Sequence, residues 1–170
     1  MGFEIKTAAE LLELAMPGAR ARRREARQNP VLHAVWQTFV DRGGPAALTD
    51  IAHTMNAPRD SVRDALAELD AADLLVLDGD AVRVAYPFTA GPNVFAVEIA
   101  PGVERYACCA VDALGIAPML GRSITVRSGC HHCGERFTLD VEPDGPRSLP
   151  DTMVWVAPRE ACAGRLDAGL

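Results

Sequence analysis

Apolar positions along the chain change their spacing once, and the change divides it into a helical half and a strand-rich half. In residues 7–27, Leu11, Leu12, Leu14 and Ala15 form a stripe that Pro17 and Gly18 interrupt, predicting an N-terminal helical arm over residues 1–28. In residues 30–39, Val31, Leu32, Val35, Trp36 and Phe39 recur at helical spacing, and the run Arg42-Gly43-Gly44-Pro45 stops the helix. Thr49 is placed to cap a short helix over 50–55 that ends at Asn56-Ala57-Pro58. The next helix covers residues 59–72, carries Asp60 or Ser61 at its start, and buries Val62, Leu66 and Leu69. Alternation then takes over, and the segment around Asp78-Gly79-Asp80 predicts a β-hairpin. Helices followed by a hairpin in this order predict a winged-helix-like module at residues 29–87. Beyond a linker at 87–92, residues 93–99, 123–128, 135–142 and 152–157 read as strands, with helices near 109–120 and 159–167. The expected fold class is α+β, with the helical module followed over residues 88–170 by a small mixed β-sheet domain with short helices.

Composition narrows the setting. With 49% hydrophobic and 24% charged residues, the chain has the make-up of a globular protein. No apolar run approaches the roughly 20 residues of a membrane span, and the N-terminus lacks the basic-then-apolar order of a secretory signal. A cytoplasmic, reducing location is therefore the expectation. The net charge of −6 is uneven: residues 20–27 hold five arginines against one glutamate, while the remainder is acidic. That balance makes DNA the less favoured partner, and the basic run reads as a solvated helix face or linker. The cysteine count is 5, an odd number that rules out a complete disulfide framework within one chain. Clustered cysteines in a reducing compartment more often bind metal or do chemistry.

Two clusters could carry that chemistry. In the first, residues 106–122, a Cys109 in the opening turn of a helix would sit near the positive end of the macrodipole, which lowers a thiol pKa. Asp112, three residues on, would share its helix face, and a soft thiolate beside a carboxylate suits a soft metal and a proton. From spacing alone the same residues also read as a buried cysteine and an acidic helix start. The second cluster, Cys130-His131-His132-Cys133-Gly134, has the form of half a zinc site, to be completed by Cys162, Cys108 or a neighbouring histidine. A thiol pair beside an active cleft and a redox-prone pair with no role are its other readings. Cys162 alone reads as a helix-packing cysteine, and His33 and His53 as structural.

The run of residues 106–130 resembles the signature region of the alkylmercury lyases. In that family a tyrosine-alanine-x-cysteine-alanine-x-aspartate run precedes an apolar helix, a Gly-Arg pair and a strand ending near a further cysteine. The matching residues here are Tyr106, Ala107, Cys109, Ala110, Asp112, Gly121, Arg122 and Cys130, and the resemblance extends over roughly residues 30–165. It implies that Cys109 captures the mercury of an organomercurial and that Asp112 shuttles a proton to the departing carbon. The products would be a hydrocarbon and thiol-bound Hg(II), with no cofactor required. Low-molecular-weight thiols or a mercuric reductase would then accept the ion.

One family feature is missing. The second catalytic cysteine of the family lines up with Gly169, and the family's segment beyond it has no counterpart in this sequence. Cys108, Cys130, Cys133 and Cys162 are the candidate second thiols, and Cys109, Cys130 and Cys133 are the candidate metal ligands. The competing expectation is a thiol-based metal-binding or metal-sensing protein, in one form a winged-helix transcriptional regulator.

Overall fold

The computed structural model describes residues 28–148 and 153–154. The expected arm at 1–28, the helix at 159–167 and Cys162 therefore lie outside the described residues, except for Gln28.

Helix α1 spans Pro30–Arg42. Asn29 caps it by accepting from the backbone N–H groups of Val31 and Leu32 at 2.9 and 3.3 Å, two of the donors that a helix start leaves unpaired. The helix runs three residues past its expected end, because Gly43, at φ 82°, is the first residue suited to stop it. Strand β1 (Ala46–Ala47) leads directly into α2 (Leu48–Met55). The expected cap at Thr49 is not formed: Ala47 occupies the cap position without a side-chain hydrogen bond, and Thr49 lies inside the first turn. Asn56 ends α2 in the left-handed conformation, and Pro58 precedes α3 (Arg59–Ala71), which buries Val62, Leu66 and Leu69 as the spacing predicts. Strands β2 (Leu75–Asp78) and β3 (Ala81–Ala85) form the expected hairpin.

The later elements are β4 (Phe88–Thr89), β5 (Ala96–Ala100), β6 (Val103–Ala107), α4 (Ala110–Leu120), β7 (Ile124–Gly129), β8 (Arg136–Glu142) and β9 (Gly145–Pro146). Among the described residues they join one sheet in the order β1-β3-β4-β6-β5-β7-β8-β9, with β2 also on β3. Every pairing is antiparallel, so the expected mixed sheet is corrected to an antiparallel one. The segment expected as a linker instead contains β4, which pairs with β3 on one side and β6 on the other. Phe88 in that strand is fully buried, and its ring stacks on Phe39 of α1 at 5.9 Å. Such a pair contributes about 1 kcal/mol beyond the area it buries. A single core cluster accordingly holds Val35, Phe39, Ile51 and Leu66 from the first half together with Val97, Ile116, Ile124 and Val126 from the second.

One other reading is corrected here. The strand expected at 93–99 starts later, because the Asn93 side chain is engaged with the Cys108 carbonyl and the Val94 amide. The strand expected at 152–157 lies outside the described residues except for Met153 and Val154. No described helix is long and apolar enough to cross a membrane.

Arg105 binds the two halves by a different means. Its Nε donates to the carbonyls of Phe39 and Val40 at 2.6 and 3.2 Å, and its second terminal nitrogen donates to Val40 at 2.6 Å. Both carbonyls lie in the last turn of α1; that of Phe39 also accepts the Gly43 amide at 2.9 Å, and Arg105 takes up acceptor capacity that the helix end leaves over. Partial burial pushes the guanidinium pKa down, but the planar fork stays charged and matches the two oxygens. Replacing Arg105 with Ala should destabilise the fold by about 2 kcal/mol, the worth of charge-assisted hydrogen bonds to partly buried carbonyls. Arg105→Lys should recover less than half of that, since an ammonium lacks the fork. Urea denaturation checks both, and an unchanged midpoint for Arg105→Ala would remove Arg105 from this role.

Candidate active site

Strand β6 delivers the chain to the site. Its last residue, Ala107, is fully buried opposite Phe88, and the next two residues turn to opposite surroundings. Cys108 is only 4% exposed and packs with Val76, Val84 and Tyr86. Its amide donates to the Pro87 carbonyl at 3.1 Å, and its thiol donates to the Phe88 carbonyl at 3.3 Å. Burial pushes the Cys108 thiol pKa strongly up. This sulfur is thus turned inward and engaged.

Cys109 is exposed and extended (φ −150°), and it serves as the N-cap of α4. Its sulfur accepts the Asp112 amide at 3.4 Å, while its S–H donates to Asp112 Oδ2 at 3.0 Å. Cysteine seldom caps a helix; here the sulfur takes the place a serine oxygen would fill. The expectation of a lowered Cys109 pKa is corrected. Crowding of the sulfur away from water raises it first, and the Asp112 carboxylate raises it further, to about 11. The amides of Asp112 and Val111 act in the opposite direction and are outweighed. The helix terminus does favour a thiolate, but a carboxylate at hydrogen-bond distance disfavours it more. At neutral pH the sulfur therefore holds its proton, aimed at an oxygen that can receive it.

The second cluster forms the tip of the β7–β8 hairpin. Cys130 donates its amide to the Glu135 carbonyl, and Gly134 donates back to the Cys130 carbonyl, each at 2.8 Å. Gly134 takes a φ of 74°, which a residue with a side chain would resist. The amides of Cys133 and His132, followed by the Cys133 thiol, hydrogen-bond to the Cys130 sulfur and hold its pKa below the usual thiol range. Cys130, His131, His132 and Cys133 are all exposed. Among the described residues no three His, Cys, Asp or Glu side chains converge to hold a metal ion. The expected completion of a zinc site by Cys108 or a histidine is therefore not realised, and Cys109, Cys130 and Cys133 do not form one ligand set.

Sheet register nonetheless puts the strands that lead into the two clusters level at one end of the sheet. Ala96 of β5 pairs with Tyr106 of β6 on one side and Arg127 of β7 on the other, so the ends of β6 and β7 are level. Two strand spacings, about 10 Å, separate the axes that lead into Cys109 and Cys130. Ser128, which the sequence reading passed over, lies on the face of β7 that carries Ile124 and Val126. It is 8% exposed and its Oγ has no hydrogen-bond partner among the described residues. Its place in the alternation Ile124, Val126, Ser128 was the signal available. Surface hollows of about 530 and 260 Å³ lie elsewhere, around His53 and around Asp140, and neither is lined by Cys109 or Asp112.

An exposed thiol that caps a helix and shares its proton with a carboxylate one turn on defines a cysteine–carboxylate site. Residues 88–168 match the family model for alkylmercury lyase. The chain is 34% identical over 113 residues to an alkylmercury lyase of Staphylococcus epidermidis, and 33% identical over 119 residues to one of Streptomyces lividans. The Staphylococcus match covers 66% of this chain and 50% of the relative, so the chain spans about half the length of the curated relatives it matches. Over the residues matched, the chain is similar to the alkylmercury lyase family. Its fold is similar to that in the crystal structure of the mercury-bound form of MerB2, with a TM-score of 0.57 at 15% identity, over 82% of this chain and 63% of that one.

Because reaction with an alkylating reagent follows the thiolate fraction, Cys109 should react slowly near pH 7 and faster as pH rises toward about 11. In Asp112→Asn the carboxylate that raises the pKa is gone, so the profile should move to lower pH. Iodoacetamide labelling followed by peptide mass spectrometry across pH measures both. A Cys109 profile unmoved by Asp112→Asn would show that the carboxylate does not govern this thiol.

Proposed function

We propose that the chain cleaves carbon–mercury bonds by protonolysis at Cys109 and Asp112. The observation that carries this reading is the 3.0 Å contact in which the Cys109 thiol donates to Asp112 Oδ2. An organomercurial, R–Hg–SR′, reaches Cys109, and sulfur displaces its own proton as it binds the metal. The carboxylate of Asp112 receives that proton and returns it to the carbon of R as the C–Hg electron pair leaves mercury. The sum is R–Hg–SR′ plus Cys109–SH giving RH and Cys109–S–Hg–SR′, with charge and protons balanced. A resting thiol rather than thiolate fits this sequence, because the proton that carbon needs is already in place.

The second sulfur on mercury comes from a small thiol in this reading, which accords with Gly169 standing where the family has its second cysteine. Low-molecular-weight thiols or a mercuric reductase carry Hg(II) away, and the need for free thiols makes the cytoplasm the natural location. We read α1 to α3 with the β2–β3 hairpin as a winged-helix-like module of structural use, packed into the shared core. The arginines of α3 are engaged by acidic neighbours: Arg63 with Asp60 at 2.8 Å and Asp80 at 3.6 Å, and Arg59 with Asp80 at 3.9 Å. That leaves little positive surface for phosphates and gives the regulator reading no support.

Reduced protein given methylmercury or phenylmercury with excess thiol should release methane or benzene, followed by gas chromatography. Cys109→Ser should fall to the uncatalysed background. Asp112→Asn should lose about 100-fold in rate, the usual scale for removing a positioned proton donor. Folded, reduced protein that yields no hydrocarbon would sink the proposal.

A further inference from the structure

The hairpin tip at Cys130 to Gly134 takes no part in the cleavage step, yet it closes into a tight turn that carries two thiols. The Cys130 amide donates to the Glu135 carbonyl and the Gly134 amide to the Cys130 carbonyl, each at 2.8 Å, and Gly134 supplies the conformation that closes the loop. Both cysteines are free and exposed.

We propose that Cys130 and Cys133 form a two-sulfur site that takes Hg(II) from Cys109 after the carbon–mercury bond has been broken. This rests on the reading of Cys109 as the capture thiol for the source of the ion. The ligand count argues for mercury over zinc. A structural zinc requires four ligands, and no third donor joins the pair among the described residues. Mercury(II) is satisfied by two thiolates placed on opposite sides of it, and soft sulfur ligands select soft ions. The two flanking histidines need not participate. Position favours the transfer as well, since both clusters follow the same end of the sheet, after strands whose axes lie two strand spacings, about 10 Å, apart. The small thiol already on the ion allows exchange to occur stepwise. The Cys130 thiolate adds to mercury as the Cys109 thiolate leaves. The Cys133 thiol then displaces the small thiol, which departs with the Cys133 proton. Cys109 takes up a proton from solvent and is restored beside Asp112. No oxidant or reductant is consumed.

The test uses the full reduced chain, HgCl₂ at one equivalent, and glutathione as the small thiol. Iodoacetamide labelling with peptide mass spectrometry then reads each cysteine separately. The expected result is that labelling of Cys130 and Cys133 slows by about tenfold or more, because a metal-bound sulfur is not the free nucleophile. Cys109 should label at its metal-free rate. In the Cys130→Ser/Cys133→Ser variant, protection should move to Cys109, a shift that simple misfolding would not produce. The proposal is overturned if Cys130 and Cys133 label at metal-free rates, or if protection falls on Cys162. It is equally overturned if Cys109 is protected together with either hairpin cysteine, which would make them one shared site. Since HgCl₂ bypasses bond cleavage, hydrocarbon release measured separately distinguishes the failures. Protection without hydrocarbon sinks the cleavage reading, and hydrocarbon without protection sinks this one.

Discussion

The fastening of Cys108 fixes everything at the candidate site. This residue is held at both its amide and its thiol, by the carbonyls of Pro87 and Phe88, and its sulfur is buried among Val76, Val84 and Tyr86. A chain held at one residue in an extended stretch must send the next side chain the other way. Cys109 is thereby presented at the surface where α4 begins, and its sulfur becomes the cap. The anchor depends in turn on β4, because Phe88 can offer its carbonyl only while its ring is locked against Phe39. Contacts far from the thiol thus determine where it points.

The electrostatics of Cys109 show how two ordinary effects are ranked by distance. The partial positive charge of a helix start is spread over several amides, whereas the Asp112 oxygen stands 3.0 Å from the sulfur and crowding removes the water that would screen it. At the hairpin the same kind of sulfur meets amides first and only a weaker opposing carboxylate, Glu135, and Cys130 shifts the opposite way. One chain thus carries thiols of contrasting character at one end of one sheet.

Much of this was legible in the residues. Helical spacing marked α1, α2, α3 and α4, alternation marked the β2–β3 hairpin, β7 and β8, and the Cys109–Asp112 interval marked the pair. What escaped has identifiable causes. Strand β6 reads Val-Glu-Arg-Tyr-Ala and looks solvent-bound, because Glu104 and Tyr106 face Arg127 on the outer surface while Arg105 reaches α1. Strand β4 has two residues between a proline and a Gly-Pro turn, too short for any period to show, so a structural join looked like a linker. The sign of the Cys109 shift was hidden because spacing indicates who is near and not which rotamer brings a carboxylate oxygen onto sulfur.

The proton held between Cys109 and Asp112 also bears on how long such a protein lasts. Peroxide attacks thiolates far faster than thiols, and the first product, a sulfenic acid, opens the path to irreversible oxidation. A sulfur that waits as S–H is therefore shielded between encounters with metal by its own protonation state. The exposed Cys130, with its thiolate favoured by backbone amides, is the more perishable of the two. Its neighbour Cys133 gives it a resolving partner, so that oxidative damage there can stop at a reducible disulfide.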